Sequence, residues 1–205
     1  GRRANKQSRA LREDAIGSAV VHILAEEGNR RLTHRRVDRH LGFAEGTTSA
    51  YFRRREDLLR CGHKRLVELS IESFDRLLGP LMREIEDGQS YSIEAVAGQM
   101  WRAWTEYASS AVMKAELEFL LEAARSAELH RLEHEYEKAQ FDQLRSIFCN
   151  LGAANPEFAA VEFASWMRSE AWTFYLAPAG IRKQHTLSSF LAKISDCVHL
   201  ASSGS

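Results

Sequence analysis

The spacing of apolar residues along this chain is helical almost throughout. Ile16, Ala19, Val20, Ile23 and Leu24 recur at i, i+3, i+4 and i+7, which predicts a helix over residues 11–27 with one buried face. Gly28 follows as a stop. Thr33 can cap a short helix carrying Val37 and Leu41, and Gly42 closes it in a left-handed turn. A second short helix is predicted over residues 44–52 and a longer one over 55–78.

Further along, Ile93, Val96, Ala97, Met100, Trp101 and Trp104 share a broad face of a helix over 92–108, and a helix over 111–125 follows. Leu129, Leu132, Tyr136, Leu144, Ile147 and Phe148 mark another over 128–151. The segment from Phe158 to Ala177 is apolar on most sides and needs cover all round. Leu187, Phe190, Leu191, Ile194 and Val198 form a clean stripe in a last helix, Leu187 to Leu200. Pro80, Pro156 and Pro178 each fall near an expected helix end, and no segment shows sustained strand alternation. The expected class is all-α.

Composition agrees with a packed chain: 44% hydrophobic and 27% charged residues over 205 positions allow a real core in one or two domains. No apolar run reaches the ~20 residues of a membrane helix, and the basic start lacks the apolar stretch of a secretion signal. Cys61, Cys149 and Cys197 are odd in number and widely spaced, which suits reduced cytoplasmic thiols rather than a disulfide framework or zinc site. The formal net charge of zero hides a segregation. Residues 1–65 carry 16 Lys+Arg against 8 Asp+Glu, and the remainder carries 12 against 20. A basic segment of this kind suits a polyanionic partner.

Two short helices joined at a glycine form a helix-turn-helix, whose second helix lies in the DNA major groove with its first residues against base edges. The string LGFAEGTTSAYFRRREDLL, Leu41 to Leu59, has the chemistry for this. Gly46, Thr47, Thr48, Ser49 and Tyr51 are small or hydrogen-bonding, and Arg53, Arg54 and Arg55 follow where phosphates would lie. Phe43 and Phe52 are expected to pack beneath. The same residues could instead cover a solvated helix.

The order of the pieces is more specific than any one of them. Ile16-x-x-Ala19, Ala25-Glu26-Glu27-Gly28, Leu32-Thr33, Val37, Leu41-Gly42-Phe43, Gly46-Thr47, Phe52 and Glu56-Asp57-Leu58-Leu59 together resemble the head of the tetracycline-repressor (TetR) family of bacterial transcriptional regulators. The resemblance implies a three-helix DNA-binding head over residues 1–60 and a larger helical effector-binding and dimerisation domain over 61–205. It implies a repressor, released from a palindromic operator by a small molecule not identified by the sequence. The DNA-contacting set it suggests is Thr33, Arg35, Arg36, Glu45, Gly46, Thr47, Thr48, Ser49, Tyr51 and Arg53. Arg2, Arg3, Lys6, Arg9 and Arg12 would form a basic arm. Ala44 departs from the family's frequent serine and cannot cap the reading helix, at a cost of about 1 kcal/mol unless another group substitutes. Glu45 and Ser49 also depart from the usual pattern.

An effector site is expected among Trp101, Trp104, Tyr107, Met113, Phe119 and Trp166, which could equally be plain core. Homodimerisation is expected through the Phe158–Ala177 and Leu187–Leu200 helices, giving a four-helix bundle between two chains. His130 and His134 sit four apart, but the string HRLEH is a poor metal signature. No nucleophile with a positioned base or glycine-rich phosphate loop is recognisable, so no catalytic residue, metal or cofactor is assigned. A small-molecule carrier with a degenerate DNA head and, less favoured, a helical-bundle enzyme are the alternatives.

Overall fold

The computed structural model describes residues 2–108, 110–176 and 186–199, and among them all regular structure is helical. The helices are α1 (Arg2–Glu27), α2 (His34–Leu41), α3 (Thr47–Tyr51), α4 (Arg55–Leu77), α5 (Gly79–Glu86), α6 (Ile93–Ala108), α7 (Ala111–Ala123), α8 (Ala127–Asn150), α9 (Pro156–Leu176) and α10 (Leu187–His199), with one 3-10 turn at Asn29–Arg31. Ala177, Pro178, Leu200 and the terminal Ser-Ser-Gly-Ser lie outside the described residues, as do the side chains of Arg2, Arg3, Lys6, Trp172 and Tyr175.

Three differences from the sequence reading have local causes. The first helix starts at Arg2 rather than near residue 11, so the expected arm is helical. Apolar periodicity begins only at Leu11, but the preceding residues are mostly strong helix formers, and Arg9 pairs with Glu13 one turn on at 2.8 Å. The second short helix spans Thr47–Tyr51, shorter than the expected 44–52, because Gly46 has φ 91° and residues 44–46 form a turn in front of it. An eight-residue helix, α5, follows Leu78 where none was expected; Pro80 lies in its first turn, where a missing N–H costs nothing, and opens this helix rather than only closing the one before.

The chain divides into two compact units, with boundaries inside α4, between α6 and α7, and inside α8. The first comprises Gly1–Glu72 and Ser110–Glu133. Its core joins Ile16, Val20, Ile23 and Leu24 of α1 to Leu32, Val37 of α2, Leu58, Leu59 and Leu66 of α4, and Ala115 and Phe119 of α7. Removing each large side chain from water contributes about 1.5–3 kcal/mol. Helix α4 can lie against α1 and α7 only because residue 62 is glycine. A Cβ there would stand 2.3 Å from Val20 Cγ1 and 3.1 Å from Phe119 Cζ. Polar groups on α7 hold the turn after α1: Glu118 accepts from the Asn29 backbone N–H at 3.3 Å, Glu122 accepts from the Asn29 side chain, and Lys114 reaches Glu26 at 3.1 Å.

The second unit comprises Ser73–Ser109 and His134–Ser205, with α10 packed on α6 and α9. Phe190 is its centre, with ring centroids 5.0 Å from Trp166, 6.2 Å from Phe163 and 6.3 Å from Trp104. Helix α9 buries Ala159, Ala160 and Phe163 but leaves Val161 45% exposed, so its apolar surplus is only partly covered within the chain.

Candidate nucleic-acid interface

Helix α3 is five residues long, too short to be stable by its own hydrogen bonds, and its position is imposed by α2. Thr33 opens α2 as expected, its hydroxyl accepting from the Arg36 N–H at 3.1 Å. Gly42 ends it at φ 66°, a left-handed conformation that turns the chain toward α3. One turn apart on the same face of α2, His34 and Asp38 grip the two ends of α3.

At the start of α3, Asp38 does what Ala44 cannot. Its Oδ2 accepts from the Gly46 N–H at 2.9 Å, and its Oδ1 accepts from the Thr48 N–H at 2.8 Å and the Thr48 hydroxyl at 2.5 Å. Two of the orphan N–H groups at the entry to a helix are thereby satisfied from a neighbouring helix. At the far end, His34 Nε2 donates to the Phe52 carbonyl at 2.7 Å. Asp38 is only 3% exposed. Desolvation on its own would raise its carboxyl pKa; hydrogen bonds from the Thr48 hydroxyl, the Thr48 amide and the Gly46 amide, with the His34 ring nearby, outweigh it and hold the pKa below the ordinary value. The sequence reading did not single out Asp38 or His34. A lone aspartate beside Val37 gives no signal of a partner ten residues on.

This clamp decides which side of α3 faces outward. Thr48, expected among the DNA contacts, is wholly buried with its hydroxyl on Asp38; it fixes the helix and has no outward surface. Tyr51 is half-buried against the core with Phe43 and Phe52. The Arg9 guanidinium lies 5.6 Å from the Tyr51 ring centroid, and Arg12 reaches its hydroxyl at 3.4 Å. Facing out are Glu45, Gly46, Ala50, Arg53 and Arg54, with Thr47 and Ser49 half-exposed. Ala50 was absent from the expected set, although a methyl on this face can meet a thymine methyl. The Thr47 hydroxyl donates to the Ala44 carbonyl at 2.7 Å, and the Ser49 hydroxyl to the Gly46 carbonyl at 3.0 Å. With these protons given to backbone carbonyls, what each half-exposed hydroxyl has left to offer is an acceptor.

The flanking cations differ in how they are held. Arg35 is exposed and stands 3.6 Å from Glu45. Arg36 is tied to Glu27, its Nε donating at 2.9 Å, and joins α2 to the end of α1. Arg55, read beside Arg53 and Arg54 as a phosphate contact, is turned to Asn29 and lies 3.7 Å from Glu122, a structural role.

The expected effector residues are divided. Trp101, Trp104, Tyr107 and Trp166 belong to the second unit, where Trp104 lies 6.1 Å from Tyr107 and, like Trp166, packs on Phe190. Met113 and Phe119 belong to the first unit; both are buried, and Phe119 meets the His63 ring edge-on at 5.5 Å. Glu133, between His130 and His134, turns inward to His63 at 2.5 Å while both flanking histidines are exposed. No group of three or more metal-ligating side chains occurs among the described residues. No described helix is long and apolar enough to cross a membrane.

No family model matches the chain, and no curated protein matches it. Solved structures do. A transcriptional regulator of Rhodococcus sp. Rha1 aligns with TM-score 0.73 at 16% identity, covering 91% of this chain and 95% of that one. A protein of Mesorhizobium loti MAFF303099 assigned to the TetR-family regulators aligns with TM-score 0.68 at 14% identity, covering 93% and 95%. The multidrug binding protein EbrR, complexed with imidazole, aligns with TM-score 0.66 at 15% identity, covering 94% and 92%. Over nine-tenths of its length, the chain has the helical fold of TetR-type transcriptional regulators.

Proposed function

We propose that the protein is a sequence-specific DNA-binding transcriptional regulator that works as a homodimer and responds to a small molecule. One observation carries this reading: α2 grips both ends of α3, so that a helix without stability of its own presents Thr47, Ser49 and Ala50 outward, with Arg53 and Arg54 just beyond. A rigid, small-residue surface flanked by free cations suits approach to base edges with phosphate anchoring. Residues 1–60 would form the reading head and 61–205 the effector and dimer part. Thr33, Arg35, Glu45, Gly46, Thr47, Ser49 and Arg53 remain in the proposed contact set, and Ala50 joins it.

The α9 and α10 helices are the proposed dimer surface, because Val161 and Leu187 are exposed apolar residues there, 45% and 44% accessible. A two-fold pair of heads would read half-sites about 34–36 Å apart. The proposed effector site lies around Trp104 and Trp166; the multidrug-binding neighbour supports small-molecule recognition in this fold. Repression with release on effector binding requires the effector to prefer the DNA-incompetent arrangement, since equal affinity shifts nothing.

The test is selection of the purified protein against random double-stranded DNA at near-physiological salt. Enrichment of a palindrome with half-sites in successive major grooves is expected. Folded protein that enriches nothing, alone or with cell extract, would turn the reading toward a small-molecule carrier.

A further inference from the structure

The outward surface at the entry to α3 carries an imbalance: over Glu45, Thr47 and Ser49 acceptors prevail, and the exposed cations Arg53 and Arg54 come only past the helix's far end. Glu45 is a carboxylate, 73% exposed on its side chain, and the hydroxyl protons of Thr47 and Ser49 already go to backbone carbonyls. The nearest cation to Glu45 is Arg35, at 3.6 Å, itself 69% exposed. An exposed pair of this kind is worth about 0–1 kcal/mol, so it does not explain as stability why a carboxylate stands beside a polyanion's binding surface. It is also weak enough to open and re-form around a ligand.

We propose that Arg35 and Glu45 together read one C·G base pair in each half-site, Glu45 accepting from cytosine N4 and Arg35 donating to O6 and N7 of the paired guanine. This rests on the reading of the chain as a DNA-binding regulator and deepens it by naming the DNA it takes. The chemistry selects that pair. In the major groove only cytosine N4 and adenine N6 offer donors. Adenine sets its N7 acceptor beside N6, which repels a carboxylate, and thymine presents O4, another acceptor. Cytosine offers its amino group without an acceptor of its own alongside. Guanine supplies two acceptors matched to a guanidinium, so a carboxylate and a guanidinium held side by side mirror the donor and acceptors of one base pair. A phosphate contact satisfies Arg35 but leaves Glu45 repelled.

The experiment compares DNA selections, and then titrations on the enriched operator, for the wild type, Glu45→Gln and Arg35→Ala, each with its folding checked by thermal melting. Both side chains are exposed, and both variants are expected to fold. The wild type should show one position in each half-site where replacing C·G by T·A weakens binding about 5- to 150-fold. Glu45→Gln should move that position toward A·T, because a carboxamide matches adenine N6 and N7. Arg35→Ala should lose discrimination at the same position. Identical base preferences in wild type and Glu45→Gln, on an enriched palindrome, would overturn this inference and leave the regulator reading standing. So would a Glu45→Gln variant that binds every sequence more tightly by one factor, the mark of a carboxylate that only repels the backbone. If the folded wild type enriches no DNA, both readings fail together.

Discussion

Replacing Asp38 tests whether α2 holds α3 in the way described. The carboxylate accepts three hydrogen bonds, from the Gly46 N–H, the Thr48 N–H and the Thr48 hydroxyl. Gly46 is exposed, so water can take over its N–H in an Asp38→Ala protein. Thr48 is 0% exposed, and its two donors would be stranded, each costing about 1–3 kcal/mol. Together the two stranded donors give about 2–6 kcal/mol of destabilisation for Asp38→Ala. That is a large part of the roughly 5–15 kcal/mol of an ordinary domain. Asp38→Asn keeps the shape and one oxygen, but turns an NH2 toward the Gly46 N–H, so about 1–3 kcal/mol is expected. Urea unfolding followed by circular dichroism measures both.

The pH dependence gives a second reading of the same contact. Because the folded carboxyl has a pKa below its unfolded value, its contribution is present above the unfolded pKa, about 4, and is lost as pH falls through the folded pKa. The stability gap between wild type and Asp38→Asn should therefore be full at pH 6 and narrow below about pH 4. An Asp38→Asn protein with the wild-type urea midpoint and slope at pH 6 would refute the clamp, as would a gap that widens in acid.

Other outcomes follow from single features. Gly62→Ala should destabilise the first unit by about 1–3 kcal/mol, since the added methyl meets Val20 at 2.3 Å; thermal melting checks this. Arg53→Ala should weaken binding to all DNA sequences and flatten the logarithmic salt dependence by about 0.9 per lost phosphate contact, read in titrations at several salt concentrations. Cys61, whose pKa is pushed up to about 12 by burial, with Glu13 nearby adding to the rise, should resist alkylation at pH 8 in the native protein while exposed Cys149 reacts, as peptide mass spectrometry would report. His40 has its pKa lowered by desolvation, by His22, whose tilted ring has its centroid 4.8 Å away, and by Arg36, against the pull of Glu27. A depressed histidine pKa means that stability is complete above the unfolded value, about 6.5, and falls as pH drops toward the folded one. His40→Asn should therefore reduce the loss of melting temperature between pH 7 and pH 5.5.

Nine of the ten described helices, their order and the turn at Gly42 were legible in the sequence because their causes are local, whereas the eight-residue α5 was not. Apolar spacing at 3.6 residues places Ile16, Val20, Ile23 and Leu24 on one face whatever surrounds them, and Thr33 caps its helix with a partner three residues away. What the tertiary structure decided are contacts whose partners lie far along the chain. A five-residue helix makes barely more than one turn, too little for periodicity to mark its buried side, so Thr48 read as a surface hydroxyl until Asp38 was seen to bind it. The missing cap at Ala44 was visible in the sequence; its replacement, six residues earlier on another helix, was not. Phe119 and Trp104 looked alike as aromatic members of successive helices, yet one packs beside Gly62 and the other beside Phe190. Spacing says which residues share a face, and only the packing of helices remote in sequence says what that face meets.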